Sequence, residues 1–517
     1  RRRSPWPPAA ACPRGEFVCC GAGRAKRGGA TDMNLPLAVA ALVGPILVLF
    51  ALLMAVPLGF ALAGHDTGEM AFVVSIVTTL LAGVALSLAT RRYKRELQSR
   101  DGFVLVVLIW MVLPAFAALP LWLAIPGLSV TDAYFESMSG FTTTGATLLS
   151  GLDRLPLSVN VWRCFLQLIG GLGVIVLAVA ILPLLGVGGV QLFKAEMTGP
   201  MKDTKLTPRI AETARGLWAV YFVGCFACFL AYRWAGMSWP DAFMHMCSTM
   251  SLAGFSSHDA SFGYWNSAVI EAVAVFFMML AGVSVALYFV AWRQRSFAPL
   301  WRNVEARAFV FVMAGSVALI SLYLWLDGTY AQYSTALRHT VFHVVSVGTT
   351  TGFATQDYLK WPQFAPLWML LLGCFATCGG STGGGIKMMR MLLLLKQAQH
   401  ELVRIGHPSV VNPVVIGGQV VPPRVMQNVV AYMMVYGAVL VVLTMLMVFS
   451  GLDVVTAFSA VIASLNNIGP GLGEVGPAAN FSGLSDFQTW VCSFSMLLGR
   501  LELLSLLVLF TPQFWRG

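Results

Sequence analysis

Threonine hydroxyls and glycine-freed carbonyls are the groups in this chain whose types and spacing could do chemistry, and that chemistry is the replacement of a cation's water shell. FTTTGAT at 141–147, SLAGFS at 251–256, TTTGFAT at 349–355 and LNNIGPGLG at 465–473 share one pattern. Aligned on Gly145, Gly254, Gly352 and Gly469, they bring Ser139, Ser248 and Ser346 into register with Ala463, and Thr142, Ser251 and Thr349 with Asn466. The glycines lie 109, 98 and 117 residues apart, so a unit of about a hundred residues occurs four times. A ring of backbone carbonyls can replace hydration oxygens without a fixed charge that would trap a monovalent cation. Turning successive carbonyls toward one axis needs conformations that glycine reaches freely. The hydroxyls at 142–144, 251 and 349–351 can satisfy backbone groups behind such a ring or add ligands. The tetrads TTTG, SLAG, TTTG and NNIG contain no Asp or Glu, which argues against a divalent cation; Asp132, Glu136 and Asp241 lie farther back. One Thr-Thr-Thr-Gly would be a turn, but four copies in register describe an ion pore.

Those loops need a scaffold, and composition names its class. The chain is 57% hydrophobic and only 11% charged, with mean hydropathy +0.76, whereas soluble domains carry about 25% charged residues. This is an all-α polytopic membrane protein. Spans of about 20 apolar residues are expected near 35–64, 70–90, 103–125, 160–186, 213–235, 266–292, 306–327, 365–397, 424–450 and 486–511. They form an N-terminal helix pair (33–95) and four helix, re-entrant pore loop, helix repeats at 100–190, 205–297, 303–400 and 420–513. Basic residues mark cytoplasmic connections: Arg91, Arg92, Lys94, Arg95 and Arg100; Lys194, Lys202, Lys205 and Arg209; Arg293, Arg295, Arg302 and Arg307; Lys387, Arg390, Lys396 and Arg404. Alternate connections carry them, so both termini are expected in the cytoplasm, with the loops entering from outside. The net charge of +10 is topological; without a basic stripe interleaved with exposed aromatics on a soluble domain, it carries no argument for nucleic acid. Residues 1–32 are Pro, Gly and Arg rich, with seven basic against two acidic residues, and are expected to be disordered, an over-extended or appended start ahead of Met33.

The stretch GCFATCGGSTGGGIKMMR at 373–390 interrupts the eighth span. It is a poor phosphate loop, since Ile386 separates Gly385 from Lys387 and Met388 follows. Gly373, Gly379, Gly380, Gly383, Gly384 and Gly385 cannot hold a helix cheaply, each costing about 1 kcal/mol relative to Ala. Unwound backbone at membrane depth must be buried in protein or line a wet cavity, so the loop at 373–385 is a candidate gate beneath the four tetrads. The ten cysteines add no site: Cys225 and Cys228 read as packing within an apolar helix, and His339 with His343 as pore-helix residues lacking a third ligand.

ESMSGFTTTGAT (136–147), MKDTKLTPRIAETA (201–214), VSVGTTTGFATQDY (345–358), CGGSTGGGIKMMR (378–390), SLNNIGPGLG (464–473) and LLGRLEL (497–503) together resemble the TrkH branch of the Trk/Ktr/HKT potassium transporters, over about residues 33–513. The extra helix pair favours the TrkH or TrkG type over KtrB. The resemblance implies a K⁺-conducting subunit of the bacterial inner membrane that forms a homodimer with one pore per subunit. It implies ion contacts along Thr143, Thr144 and Gly145; Leu252, Ala253 and Gly254; Thr350, Thr351 and Gly352; and Asn467, Ile468 and Gly469. The resemblance implies K⁺ as the transported ion, and no organic cofactor is expected. In plant relatives a Ser at the first filter glycine accompanies Na⁺ preference; all four positions here are Gly. The implied gate combines Gly379, Gly380, Gly383, Gly384, Gly385 and Lys387 with Arg500, an arginine expensive at membrane depth unless it faces protein or water.

The resemblance also implies a cytoplasmic nucleotide-binding regulator, TrkA; this chain carries no dinucleotide-binding fingerprint in a soluble βαβ unit, so any nucleotide sensing is expected to come from elsewhere, and the basic linkers are the expected docking surface. Two other classes fit less well. An alternating-access carrier of another solute would show two related halves, and an enzyme would pair a nucleophile with a base. Channel-like flux, H⁺-coupled symport and a Na⁺-permeable variant of the same architecture remain open at this stage.

Overall fold

A computed structural model describes residues 35–93, 99–176 and 210–516; the expected tail at 1–32, part of the expected fourth span and the linker basics Lys94, Arg95, Lys194, Lys202, Lys205 and Arg209 lie outside them. The N-terminal pair is α1 (Leu35–Leu53) continued by α2 (Ala55–Gly64), then α3 (Glu69–Thr90). Pro57 has no N–H to offer the Leu53 carbonyl, and the helix is interrupted at Met54. This pair packs on α4 (Ser99–Ala124), the outer helix of the first repeat.

Each repeat then has a short helix running into its tetrad and an inner helix running back. The short helices are α5 (Val130–Phe141), α8 (Trp239–Ser251), α13 (Tyr333–Gly348) and α17 (Val454–Leu465). Ser129, Ser238 and Asp453 cap three of them, each side chain accepting from a backbone N–H three residues on, which satisfies an otherwise orphaned donor. The outer helices of the later repeats are α7 (Ile210–Trp234), α12 (Val304–Leu326) and α16 (Pro423–Phe449). Their outward faces are apolar: Val223, Phe226 and Leu230 on α7 and Met434, Val441 and Met445 on α16 are all exposed, as a lipid-facing stripe requires.

The inner helices are α6 (Leu157–Val176); α9 (Ala268–Ala281) with α10 (Val285–Gln294); α14 (Phe364–Phe375) with α15 (Met388–Gly406); and α18 (Asp486–Arg500) with α19 (Leu504–Leu507). A short helix, α11 (Ala298–Arg302), links the second and third repeats, and α20 (Pro512–Arg516) ends the described chain. A two-residue hairpin, β1 (Val415–Ile416) and β2 (Gln419–Val420), joins the third to the fourth. Each inner helix packs on the short helix of the next repeat: α6 on α8, α9 on α13, α14 on α17, and α18 back on α5. The four repeats close into a ring.

Two spans expected to be continuous are broken. The 266–292 span bends by 85° between α9 and α10, and the 486–511 span by 104° after Arg500. The first break falls at Gly282, Val283 and Ser284, where the Gly-rich loop supplies the missing backbone partners. The second falls at Glu502 and Leu503, both at positive φ, with Glu502 drawn into an ion pair with Arg390 at 2.6 Å. Six described helices are long and apolar enough to cross a membrane, or eight counting each bent pair as one span, against ten expected. The 365–397 span is split by its glycines, and α6 is described only to Val176.

Candidate ion-conduction site

The four tetrads meet at the centre of the ring, and their backbones repeat one conformation. In each, the third residue donates its N–H to a carbonyl five residues back: Thr144 to Ser139 at 2.8 Å, Ala253 to Ser248 at 3.0 Å, Thr351 to Ser346 at 2.8 Å and Ile468 to Ala463 at 2.8 Å. These are C-terminal caps of the short helices, and they place the four positions aligned by sequence in equivalent roles. The second residue is left-handed in every copy although none is glycine: Thr143 at φ 55°, Leu252 at 54°, Thr350 at 62° and Asn467 at 53°. Nothing in the residue types announces that. The glycines follow at 82°, 76°, 88° and 96°.

Each glycine also lies against the carbonyl of a neighbouring tetrad. A Cβ on Gly145 would stand 2.0 Å from the Ala253 oxygen; on Gly254, 2.0 Å from that of Thr351; on Gly352, 2.4 Å from that of Ile468; and on Gly469, 2.8 Å from that of Thr144. The contacts run once round the circle and close it. The eight non-glycine residues among the twelve expected ion contacts are at most 1% exposed. Their environments differ behind the ring: Gln167 on α6 donates to the Ala253 carbonyl at 2.7 Å, whereas Asn467 donates to Thr144 Oγ1 at 2.9 Å.

Electrostatics at this point favour a cation. All four short helices end at the tetrads, each presenting the equivalent of about half a negative charge. On one side of the ring, a cavity of about 620 Å³ is floored by Gly145, Gly254, Gly352 and Pro470 and carries Asp259 and Glu474 on its wall. Arg163, also on that wall, is fully buried by Glu136 at 2.7 Å, with bonds to Asn160 Oδ1, Thr147 Oγ1 and the Ser256 carbonyl and Phe255 stacked at 4.4 Å. It joins the segments following the first two tetrads. Sequence reasoning passed over Arg163; an arginine inside an apolar span was the available signal. Arg163→Ala strands Glu136 and is expected to cost about 3–5 kcal/mol, read as a fall in thermal unfolding temperature in detergent. Glu136→Gln combined with Arg163→Met should recover part of it.

His258 forms a second clasp at this rim. It bonds Asp153 of the first repeat, lies 3.5 Å from Asp241 Oδ1 and stacks on Tyr264 at 3.6 Å between ring centres. Burial alone would lower its pKa, but the two carboxylates outweigh this and hold it above its ordinary value; His258 in turn lowers that of Asp153. A raised folded-state pKa means that the stabilisation is complete below the ordinary value of about 6.5 and fades as pH rises through the raised one. Unfolding temperature should therefore fall over that window, and His258→Gln should flatten the fall. His343, within α13, has Nδ1 2.8 Å from the His339 carbonyl. No group of three or more potential metal-binding side chains occurs among the described residues.

On the other side, the Gly-rich loop between α14 and α15 lies against three repeats. Cys378 donates to the Gly282 carbonyl at 3.1 Å and the Gly380 carbonyl accepts from Val285 at 3.2 Å, so the loop completes the backbone exposed by the α9/α10 break. Thr382 Oγ1 donates to the Met250 carbonyl at 3.0 Å, and Gly384 N–H donates to Thr350 Oγ1 at 3.0 Å. A Cβ on Gly384 would stand 2.0 Å from the Asn466 oxygen. Gly383 and Gly384 are buried beneath the tetrads, and Gly385 turns the chain back at φ 82°. Lys387 reaches back to the Gly383 carbonyl. Arg500, 4% exposed, donates Nη1 to the Thr382 carbonyl at 2.8 Å, while its Nε and Nη2 find no hydrogen-bond partner. Its helix ends there rather than continuing as expected, yet the side chain is enclosed.

Known proteins are similar to this chain over nearly its whole length. The family model for TrkH, described as a cation transport protein, matches residues 68–516. The Trk system potassium uptake protein TrkH of Halomonas elongata is 44% identical over 476 residues, 92% of this chain and 98% of its own length. That of Escherichia coli is 44% identical over 480 residues, 93% and 99% respectively, and the TrkG protein of the same species is 38% identical. The crystal structure of the potassium transporter TrkH from Vibrio parahaemolyticus superposes with a TM-score of 0.86 at 42% identity, covering 93% of this chain and 99% of that one. With four tetrads closed in a ring, a glycine-rich loop beneath them and this likeness over nearly the whole length, the chain belongs to the TrkH family of cation transport proteins.

Proposed function

We propose that this chain takes up K⁺ across a bacterial inner membrane through the centre of the tetrad ring. The observation that carries the reading is the cyclic contact of each tetrad glycine with a neighbouring tetrad's carbonyl, which brings four uncharged backbone segments together, and uncharged oxygens are the ligands a monovalent-cation filter requires. Four equivalent repeats favour a pore over a two-halved carrier, and relatives named as potassium uptake proteins favour K⁺ as the ion. Thr143, Thr144 and Gly145, Leu252, Ala253 and Gly254, Thr350, Thr351 and Gly352, and Asn467, Ile468 and Gly469 form the ion-contacting segments. The Gly-rich loop and Arg500 close the pore from the cytoplasmic side. Both described chain ends, the basic linkers and a nucleotide-binding regulator of the TrkA kind lie on that side, and the functional unit is a homodimer.

The test is K⁺ and Na⁺ flux into liposomes containing the purified protein, with and without the regulator. K⁺-selective flux that rises when the regulator is added is the expected result. Flux of neither ion under both conditions would count against the pore.

A further inference from the structure

Glu305 stands in the first turn of α12, 3% exposed, and one of its oxygens accepts from two backbone donors. Gly379 N–H donates to Oε1 at 2.8 Å and Met389 N–H donates to the same atom at 3.1 Å. These donors are ten residues apart in the chain and bracket the excursion that holds Thr382, Gly383 and Gly384 beneath the tetrads. A buried glutamate is costly unless it is partnered, and bonds from backbone N–H groups to a carboxylate are stronger than neutral ones. Here that strength is spent on joining the two ends of the loop.

The anchor is itself fixed. Asn303 caps α12 by accepting from Ala306 N–H at 2.8 Å, and the preceding residues form α11, the linker between the second and third repeats. A displacement of that linker would reach Glu305 through two residues of backbone and pull on both loop ends together. We propose that Glu305 is a positioning residue for the loop, setting how firmly it stays beneath the tetrads and connecting that position to the α11 linker. The inference rests on the reading of this loop as the gate. If the two bonds merely completed local backbone pairing, their loss would lower stability without changing flux.

The experiment measures K⁺ and Na⁺ flux in liposomes without a regulator for Glu305→Ala, Glu305→Asp and Glu305→Gln, with Arg500→Ala as the reference. Glu305→Ala should raise flux about tenfold, the equivalent of one charge-assisted hydrogen bond, with the K⁺/Na⁺ ratio unchanged. Glu305→Gln should fall between the parent and Glu305→Ala, because an amide oxygen can accept both bonds but without the charge that strengthens them. Glu305→Asp, one methylene too short to reach both donors, should also raise flux, and it decides the matter if Glu305→Ala does not fold. Parental flux in Glu305→Asp, or Glu305→Gln behaving as Glu305→Ala does, would overturn the proposal. Raised flux in Arg500→Ala beside parental flux in Glu305→Ala and Glu305→Asp removes the Glu305 role alone; parental flux in all of them removes the gate reading as well.

Discussion

Serine at Gly145 or Gly254 is expected to abolish selective K⁺ flux, serine at Gly352 to weaken it severely, and serine at Gly469 to leave the most. The order follows the space available to a new Cβ: 2.0 Å from a backbone oxygen at the first two positions, 2.4 Å at the third and 2.8 Å at the fourth. Those oxygens belong to neighbouring tetrads, so the clash cannot be relieved by turning a side chain; a ring carbonyl must move. At all four positions the left-handed backbone adds a further cost of about 1–2 kcal/mol for any residue with a Cβ. Serine at Gly352 would also crowd Pro470 Cδ at 2.7 Å, a collision that Gly145 and Gly254 do not share. Flux of K⁺ against Na⁺ in liposomes containing each variant checks the series. Equal effects at all four sites would mean that ring geometry does not set the permeation path.

Arg500→Ala is expected to raise flux of the isolated protein about tenfold while leaving the K⁺/Na⁺ ratio nearly unchanged. Its bond to the Thr382 carbonyl at 2.8 Å holds the loop in the position described, and a hydrogen bond from a charged donor is worth about 1.5–3 kcal/mol. Two of its nitrogens are buried without a hydrogen-bond partner, which offsets part of that gain, so the lower end of the range applies. Single-channel recording separates the two quantities, open probability and ion preference. A shifted ion preference with unaltered opening would count against a gating role.

What was legible in the sequence was set by backbone demands. The four glycines stand out because their conformation admits few other residues, and the residues six and three positions before them fall into register because the same cap recurs in each repeat. The split of the eighth span was legible for the same reason, in a run of glycines no helix would choose. What escaped notice depends on partners far along the chain. Arg163 is explained by Glu136 and Ser256, Glu305 by Gly379 and Met389, and the bend at Gly282 by a loop that arrives about a hundred residues later. The left-handed Thr143, Leu252, Thr350 and Asn467 were hidden differently: none of these side chains advertises the conformation its neighbours impose.

The return of α18 onto α5 has a bearing on how the molecule is made. The seam between the fourth and first tetrads, where Asn467 Nδ2 meets Thr144 Oγ1, joins residues more than three hundred positions apart. A chain emerging from the ribosome completes its first repeats early, yet the final seam must wait until α17 and α18 have been inserted. Until then the first tetrad is a partly built wall. A chain ending before residue 486 therefore lacks the closing helix and, with it, the packing on α5 that completes the ring.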